Sequence, residues 1–183
     1  MKNLGDPGLT IVLISILIVA AIVDVRIQKI PNLLTFPSMI VGFTYHSVVN
    51  GWSGLIFSSM GLTVGIAIFL LPYLMGGMGA GDAKLMGVVG AMIGPKGVAL
   101  ACLFTAIVGG FYALIVFLLN IEYRQGFIER SAITVKAFAF TKNFIPIPPD
   151  ESEKKPRLCY AVAIAIGTLI YVFLKIFGYQ FPV

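Results

Sequence analysis

Six apolar segments, separated by short polar connections, occupy most of this 183-residue chain. They cover approximately residues 9–23, 33–49, 55–75, 83–94, 98–121 and 160–177. Only 11% of the residues are charged, whereas a soluble domain carries about a quarter. Because backbone polar groups in lipid must pair within a helix or a closed barrel, the segments predict an all-α polytopic membrane protein. We expect a bundle of six transmembrane helices that forms a single membrane-embedded domain over residues 1–183.

The fourth segment, residues 83–94, is short and rich in glycine. A complete span needs about 20 residues, and about 12 residues of helix cover only about 18 Å. This segment therefore spans incompletely or packs among the others. Gly87, Gly90 and Gly94 lie three and four residues apart, a pattern typical of closely packed helices. We expect this packing to bring Asp82 against the first helix, beside Asp24.

The distribution of lysine and arginine predicts the orientation. With six spans, the connections after the first, third and fifth segments lie on one side of the membrane. Their basic residues are Arg26, Lys29, Lys84, Arg124, Arg130, Lys136, Lys142, Lys154, Lys155 and Arg157, against Lys2, Lys96 and Lys175 on the other side. Because basic connections stay in the cytoplasm, the first side is predicted to be cytoplasmic and both termini external. The expected location is the inner (cytoplasmic) membrane, in contact with its lipids.

The stretch 122–157 is the only long polar connection, and we expect it to form a cytoplasmic loop. Within it, apolar residues recur at helical spacing near basic ones, namely Ile128, Ala132, Val135 and Ala139. This pattern predicts an interfacial helix on the inner leaflet.

Two aspartates flank apolar segments in a way that calls for an explanation. Asp24 follows the first segment, and Asp82 precedes the fourth. A carboxylate beside lipid is costly unless it is paired or functional. The even number of predicted spans between them places both at the cytoplasmic end, where two carboxyl groups can share a proton and activate water. Three alternatives remain: Asp24 pairs with Arg26, Asp82 only caps a helix, or both serve an ion pathway.

The residues around Asp82 favour an ionised carboxylate. Gly79 and Gly81 allow backbone angles that other residues avoid, which would let an extended substrate approach. Asp82 stands at the predicted N-terminus of the fourth helix, where the helix dipole favours an anion, and Lys84 adds positive charge nearby. We therefore hypothesise that Asp82 ionises first while Asp24 holds the shared proton.

Other reactive residues offer no competing site. His46 is the only histidine, and the predicted topology makes it an external interfacial or loop residue. Cys102 and Cys159 match no metal-binding spacing, so we interpret both as small apolar side chains. We expect no metal and no cofactor. The net charge of +5 is explained by membrane-flanking basic residues, and we expect no nucleic-acid partner.

Two motifs together resemble a known family. The segment DVRIQKIPN carries Asp24, Pro31 and Asn32, and GAGDAK carries Gly79, Gly81, Asp82 and Lys84. In combination they resemble the type IV prepilin peptidases, which are intramembrane aspartic proteases with a Gly-x-Gly-Asp motif. The resemblance implies that Asp24 and Asp82 are catalytic. It implies that Gly79, Gly81, Lys84, Pro31 and Asn32 shape the site.

The resemblance also implies a substrate and a subtype. The substrate would be a type IV prepilin-like precursor, cleaved at its leader on the cytoplasmic membrane face. The segment CYAVAIAIG, from Cys159 to Gly167, resembles the family's last helix, with cysteine in place of proline. No paired-cysteine insertion lies between the first two segments. The chain thus resembles the short, stand-alone form found with Flp-type pili or archaeal preflagellin, and this resemblance implies cleavage without methyltransferase activity.

Two other functions compete with the peptidase interpretation. A small proton-linked transporter or channel would use the same aspartates as relay groups. A pilus-assembly scaffold would carry no chemistry at all. The aspartates distinguish the three, because only a peptidase loses precursor cleavage when either one is replaced.

Overall fold

The computed structural model of the protein describes residues 6–119 and 159–178. These residues form four helices: α1 (Pro7–Ile27), α2 (Asn32–Leu74), α3 (Ala80–Leu119) and α4 (Tyr160–Ile176). The all-helical prediction is confirmed, whereas the predicted count of six helices is not supported. The predicted loop and interfacial helix over 122–157 lie outside the described residues.

The helix count differs from the prediction because two helices continue through an internal break. Gly51 in α2 has φ 59° and ψ −138°, and Gly94 in α3 has φ 80° and ψ 176°. Glycine adopts such angles at little cost. The two breaks fall where the second and fourth predicted segments end. Each long helix therefore has a first and a second arm, on either side of its glycine.

A hydrogen bond between the start of α2 and the start of α3 shows that α2 reverses direction at Gly51. Lys84 Nζ donates to Asn32 Oδ1 at 2.8 Å. A straight helix of 43 residues would be about 65 Å long, and the ten residues from Leu74 to Lys84 reach at most about 35 Å. A straight α2 is therefore incompatible with this hydrogen bond. The two arms of α2 lie side by side.

The first arm of α3 packs among its neighbours, as the sequence predicted for the fourth segment. Every residue from 85 to 94 is buried. Gly90 lies so close to Gly61 of α2 that a Cβ on either would overlap the other's carbonyl group. Gly87 packs against Ile66 of the same arm of α2. Gly87 and Gly90 therefore allow the first arm of α3 to approach the second arm of α2 closely.

One buried stripe runs along α1 and packs against α4. Its members are three or four residues apart, which places them on one face of the helix: Leu9, Leu13, Leu17, Ala20 and Asp24. The facing part of α4 has small buried residues, among them Ala161 and Ala165. Asp24 is the C-terminal member of this stripe, so its side chain is directed toward α4.

The lengths of the helices fit a multi-pass membrane protein. In the part of the chain that the structure describes, α1, α2 and α3 are long and apolar enough to cross a membrane, and α4 is a shorter apolar helix. The chain divides into two compact units, residues 1–109 with 159–183, and residues 110–158. The aspartates belong to the first unit. In the second, the structure describes residues 110–119, the end of α3.

His46 is not the loop or interfacial residue that the sequence suggested. It is completely buried in the first arm of α2, and its Nε2 lies 2.9 Å from the carbonyl oxygen of Met92. Since a carbonyl only accepts, Nε2 carries the hydrogen. The prediction for His46 was wrong because both arms of α2 pack around the first arm of α3, and this packing buries the residues before the turn at Gly51.

Candidate active site

Asp24 lies in the last turn of α1 and is buried, with 6% of its surface exposed. Its Oδ2 accepts a hydrogen bond from the backbone N–H of Ala161 at 3.1 Å. Ala161 is the second residue of α4, and Cys159, the N-cap residue, makes no side-chain capping bond. Asp24 therefore satisfies an amide that an N-cap side chain normally satisfies.

Asp82 is the third residue of α3 and has 8% of its surface exposed. Its Oδ2 accepts a hydrogen bond at 3.1 Å from the N–H of Gly79, just before the helix. A carboxylate at this position reaches back to the helix start as in a capping box. The position at a helix N-terminus, where the dipole favours an anion, is as predicted. The capping role offered as an alternative is therefore also present.

The carboxylates of Asp24 and Asp82 both affect Cys159 electrostatically, although the two aspartates are 58 positions apart in the chain. Burial raises the pKa of the Cys159 thiol, and the negative charges of Asp24 and Asp82 raise it further. The charge of Asp24 also acts on Asp82. Both carboxylates thus lie within electrostatic range of the N-terminus of α4. The N-termini of α3 and α4 each contribute one amide to this site.

Lys84 does not add its charge to Asp82 as the sequence suggested. Its Nζ donates to Asn32 Oδ1 and lies 5.4 Å from the centre of the Phe36 ring. Residues two positions apart on a helix do not face each other, which explains why Lys84 turns away from Asp82. The structure instead uses Lys84 to connect the two sequence motifs.

The glycine and proline residues named from the sequence shape the same junction. Pro31 is the N-cap of α2, and its carbonyl accepts the N–H groups of Leu34 and Thr35. A Cβ on Gly81 would lie 3.0 Å from Ile30 Cβ, so glycine permits close packing between the two motifs. Gly79 supplies the amide to Asp82. The expectation that the glycine-rich loop around Gly79 and Gly81 lets an extended substrate approach stays a prediction.

Asp24 is not paired with Arg26 in the described residues. Asp24 is buried, whereas Arg26 is exposed, and two residues along a helix point in different directions. The hydrogen bond to Ala161 takes the place of the ion pair considered from the sequence. Over residues 6–119 and 159–178, no group of three or more His, Cys, Asp or Glu is arranged to hold a metal ion.

Sequence reasoning missed Ala161 and Cys159 as neighbours of the aspartates. A backbone amide has no side-chain signature, and Cys159 matched only an apolar pattern. One signal was available, because the start of the last apolar segment follows the long polar connection that the sequence predicts to be cytoplasmic. With the predicted orientation, that start lies at the same end of the bundle as Asp24 and Asp82.

The fold and the site describe an all-helical protein with membrane-length helices and two buried carboxylates near helix ends. A family model described as the type IV leader peptidase family matches residues 11–114, more than half of the chain. The chain therefore belongs to the type IV leader peptidase family, which confirms the resemblance seen in its two motifs.

One curated relative is a prepilin leader peptidase/N-methyltransferase of Bacillus subtilis (strain 168). The two sequences are 32% identical over 105 residues, which cover 56% of this chain and 42% of the relative. The chain thus matches less than half the length of that relative. No solved structure matches the chain.

Proposed function

We propose that the protein is an intramembrane aspartic endopeptidase that removes the leader peptide of type IV prepilin-like precursors. Family membership supports the reaction class. The observation that carries the mechanism is the burial of Asp24 and Asp82 near one thiol, each held by one backbone amide. Buried carboxylates without a cation are costly, which favours a chemical role over a structural one.

The proposed reaction divides the work between the two carboxyl groups. Asp82, ionised at the N-terminus of α3, takes a proton from water as its oxygen attacks the scissile carbonyl carbon. Asp24, protonated, donates a hydrogen bond to the carbonyl oxygen and stabilises its developing charge. A proton is then transferred to the leaving amine as the C–N bond breaks. The pair ends with the one shared proton it held at the start.

The proposed site of cleavage is the cytoplasmic face of the inner membrane. Folding of α2 back at Gly51 brings both ends of that helix to the aspartate end, where Lys84 meets Asn32. If each arm of the broken helices crosses or enters the bilayer, the topology of six passes with external termini follows. The basic residues Arg26, Lys29 and Lys84 then lie on the cytoplasmic side. A precursor's leader would reach the site there in extended form.

Incubation of the purified protein with a synthetic prepilin-like precursor tests the proposal. We expect Asp24→Asn and Asp82→Asn each to reduce the cleavage rate by at least about a thousandfold, as removal of a catalytic group does. Asp6→Asn is the matched control, because Asp6 is exposed and, among the described residues, its carboxylate accepts a hydrogen bond from Tyr45 while its backbone carbonyl accepts one from Thr10. Cleavage that persists in either site variant would favour the proton-linked transporter or channel.

The proposal covers cleavage without methyl transfer. Mass spectrometry of the product tests this part separately. We expect the new N-terminus to remain a free amine when S-adenosylmethionine is present, and a mass increase of one methyl group would contradict that expectation.

A further inference from the structure

Asp24 acts as an N-cap for α4 from a different helix. The first amides of a helix have no acceptor within it, and a neighbouring side chain usually accepts from the second or third residue. The thiol of Cys159 makes no such bond. The N–H of Ala161 instead donates to Asp24 Oδ2 at 3.1 Å, across 137 positions of sequence.

Packing of α1 against α4 supports the hydrogen bond from the N–H of Ala161 to Asp24 Oδ2. Asp24 ends the buried stripe of α1, one turn beyond Ala20, and both Ala20 and Ala161 are completely buried. Two alanines allow the helices to approach until the amide reaches the carboxylate. Because the bond is buried, water competes weakly for either partner, and a buried hydrogen bond is electrostatically stronger than an exposed one.

The surroundings of Asp24 make the N–H of Ala161 important for orienting the Asp24 carboxylate. Asp24 lies at the C-terminal end of α1, where the helix dipole disfavours negative charge, and its own carbonyl accepts the N–H of Gln28. In the described ranges, no lysine, arginine or histidine bonds to its carboxylate. Within residues 6–119 and 159–178, the N-terminus of α4 supplies a hydrogen-bond donor to this carboxylate, the N–H of Ala161, together with the positive end of a dipole.

We propose that the backbone amide of Ala161 is a positioning group for catalysis, holding Oδ2 of Asp24 so that Oδ1 is presented to the shared proton. The inference rests on the proposed function, since it assigns a role within that reaction. It differs from a capping role alone. A cap contributes to stability, whereas a positioning group changes the rate of the chemical step at an unchanged affinity for the precursor.

Replacing one amide by an ester tests the proposal without changing any side chain. Lactic acid in place of Ala161 replaces its N–H with an oxygen and keeps its methyl group, and the weaker ester carbonyl that results is matched in the control. The control is the ester counterpart of Val162, whose N–H donates within α4 to the carbonyl of Cys159 at 3.3 Å. Both esters remove one hydrogen bond from the same helical turn, but only the first removes the donor to Asp24.

We expect the Ala161 ester to lower kcat for precursor cleavage at least about tenfold more than the Val162 ester, with KM changed less than twofold in both. The second readout is independent of turnover. In protein labelled with carboxyl-¹³C aspartate, four side-chain signals are expected, from Asp6, Asp24, Asp82 and Asp150. The Asp24 signal, assigned by its loss in Asp24→Asn, should shift in the Ala161 ester and stay in place in the Val162 ester.

The outcomes separate this inference from the proposed function. Equal kcat values for the two esters in a chain that cleaves its precursor would overturn the inference alone, as would an unmoved Asp24 signal. An unmodified chain that cleaves no prepilin-like precursor would overturn the proposed function, and this inference with it.

Discussion

Lys84 Nζ donates a hydrogen bond to Asn32 Oδ1 at 2.8 Å, joining two residues 52 positions apart. One residue begins α2, and the other lies in the first turns of α3. The bond therefore closes the hairpin of α2 at the end where Asp24 and Asp82 lie. The bond also gives Asn32 and Lys84, one residue from each peptidase motif, a structural role that neither motif alone indicates.

Loss of this bond should destabilise the junction between the motifs. We expect Lys84→Met and Asn32→Ala each to lower the free energy of unfolding in detergent, with a coupling of about 1 kcal/mol between them, as for a typical side-chain hydrogen bond. Lys29→Met, at an exposed lysine in the connection between α1 and α2, is the control for loss of charge. Fully additive effects of the two variants would show that the bond contributes nothing.

Cys159 should report on the charges of both aspartates. Because burial and the two carboxylates raise its thiol pKa, less thiolate forms at a given pH, and alkylation at pH 8 should be slower than for a free cysteine. Under conditions in which both carboxyl groups are ionised, replacing either one removes a negative charge and lowers the pKa of the Cys159 thiol, so Asp24→Asn and Asp82→Asn should each accelerate alkylation severalfold. Iodoacetamide labelling in a Cys102→Ser background measures this.

The same labelling has an internal control. Asp6→Asn removes a carboxylate that is absent from the surroundings of Cys159 and should leave the rate unchanged. If only one of the two site variants accelerates the reaction, the carboxylates do not share one location, and the two-aspartate site is wrong.

The contact between Gly61 and Gly90 should tolerate no side chain. A Cβ on Gly90 would overlap a backbone carbonyl of Gly61, so the arms must separate, and we expect Gly90→Ala to cost about 1–3 kcal/mol of unfolding free energy. Gly110→Ala is the matched control, because no atom of the described residues lies within 4 Å of its added Cβ. Alanine there should stabilise the helix by about 0.5–1 kcal/mol. Equal thermal midpoints for the two variants would contradict the described packing.

Much of the fold was accessible from the sequence because lipid permits few backbone arrangements. The apolar segments predicted helices correctly, and two of their boundaries coincide with Gly51 and Gly94. The sequence did not indicate that the helices would continue through these glycines. A positive φ at one residue bends a chain sharply without an intervening loop, and composition does not distinguish a break of this kind from a connection.

The candidate site was predicted in part, for a related reason. The energetic cost of a carboxylate beside lipid indicated that Asp24 and Asp82 are functional. The structure places both near Cys159. The role expected of Lys84 was wrong, because side-chain direction on a helix depends on register and on the neighbouring Asn32. The amide of Ala161 could not be predicted as part of the site, since every residue but proline carries such a donor. Only packing of α1 against α4 brings this amide to Asp24.

The most direct test of the account is the cleavage rate of the double variant Asp24→Asn/Asp82→Asn beside the two single variants. Catalytic groups that act as a unit are strongly non-additive, so removing the second costs little once the first is lost. We expect the double variant to cleave a prepilin-like precursor within about threefold of the slower single variant. Losses that multiply, so that the double variant is slower by the product of both factors, would contradict a shared two-carboxylate mechanism.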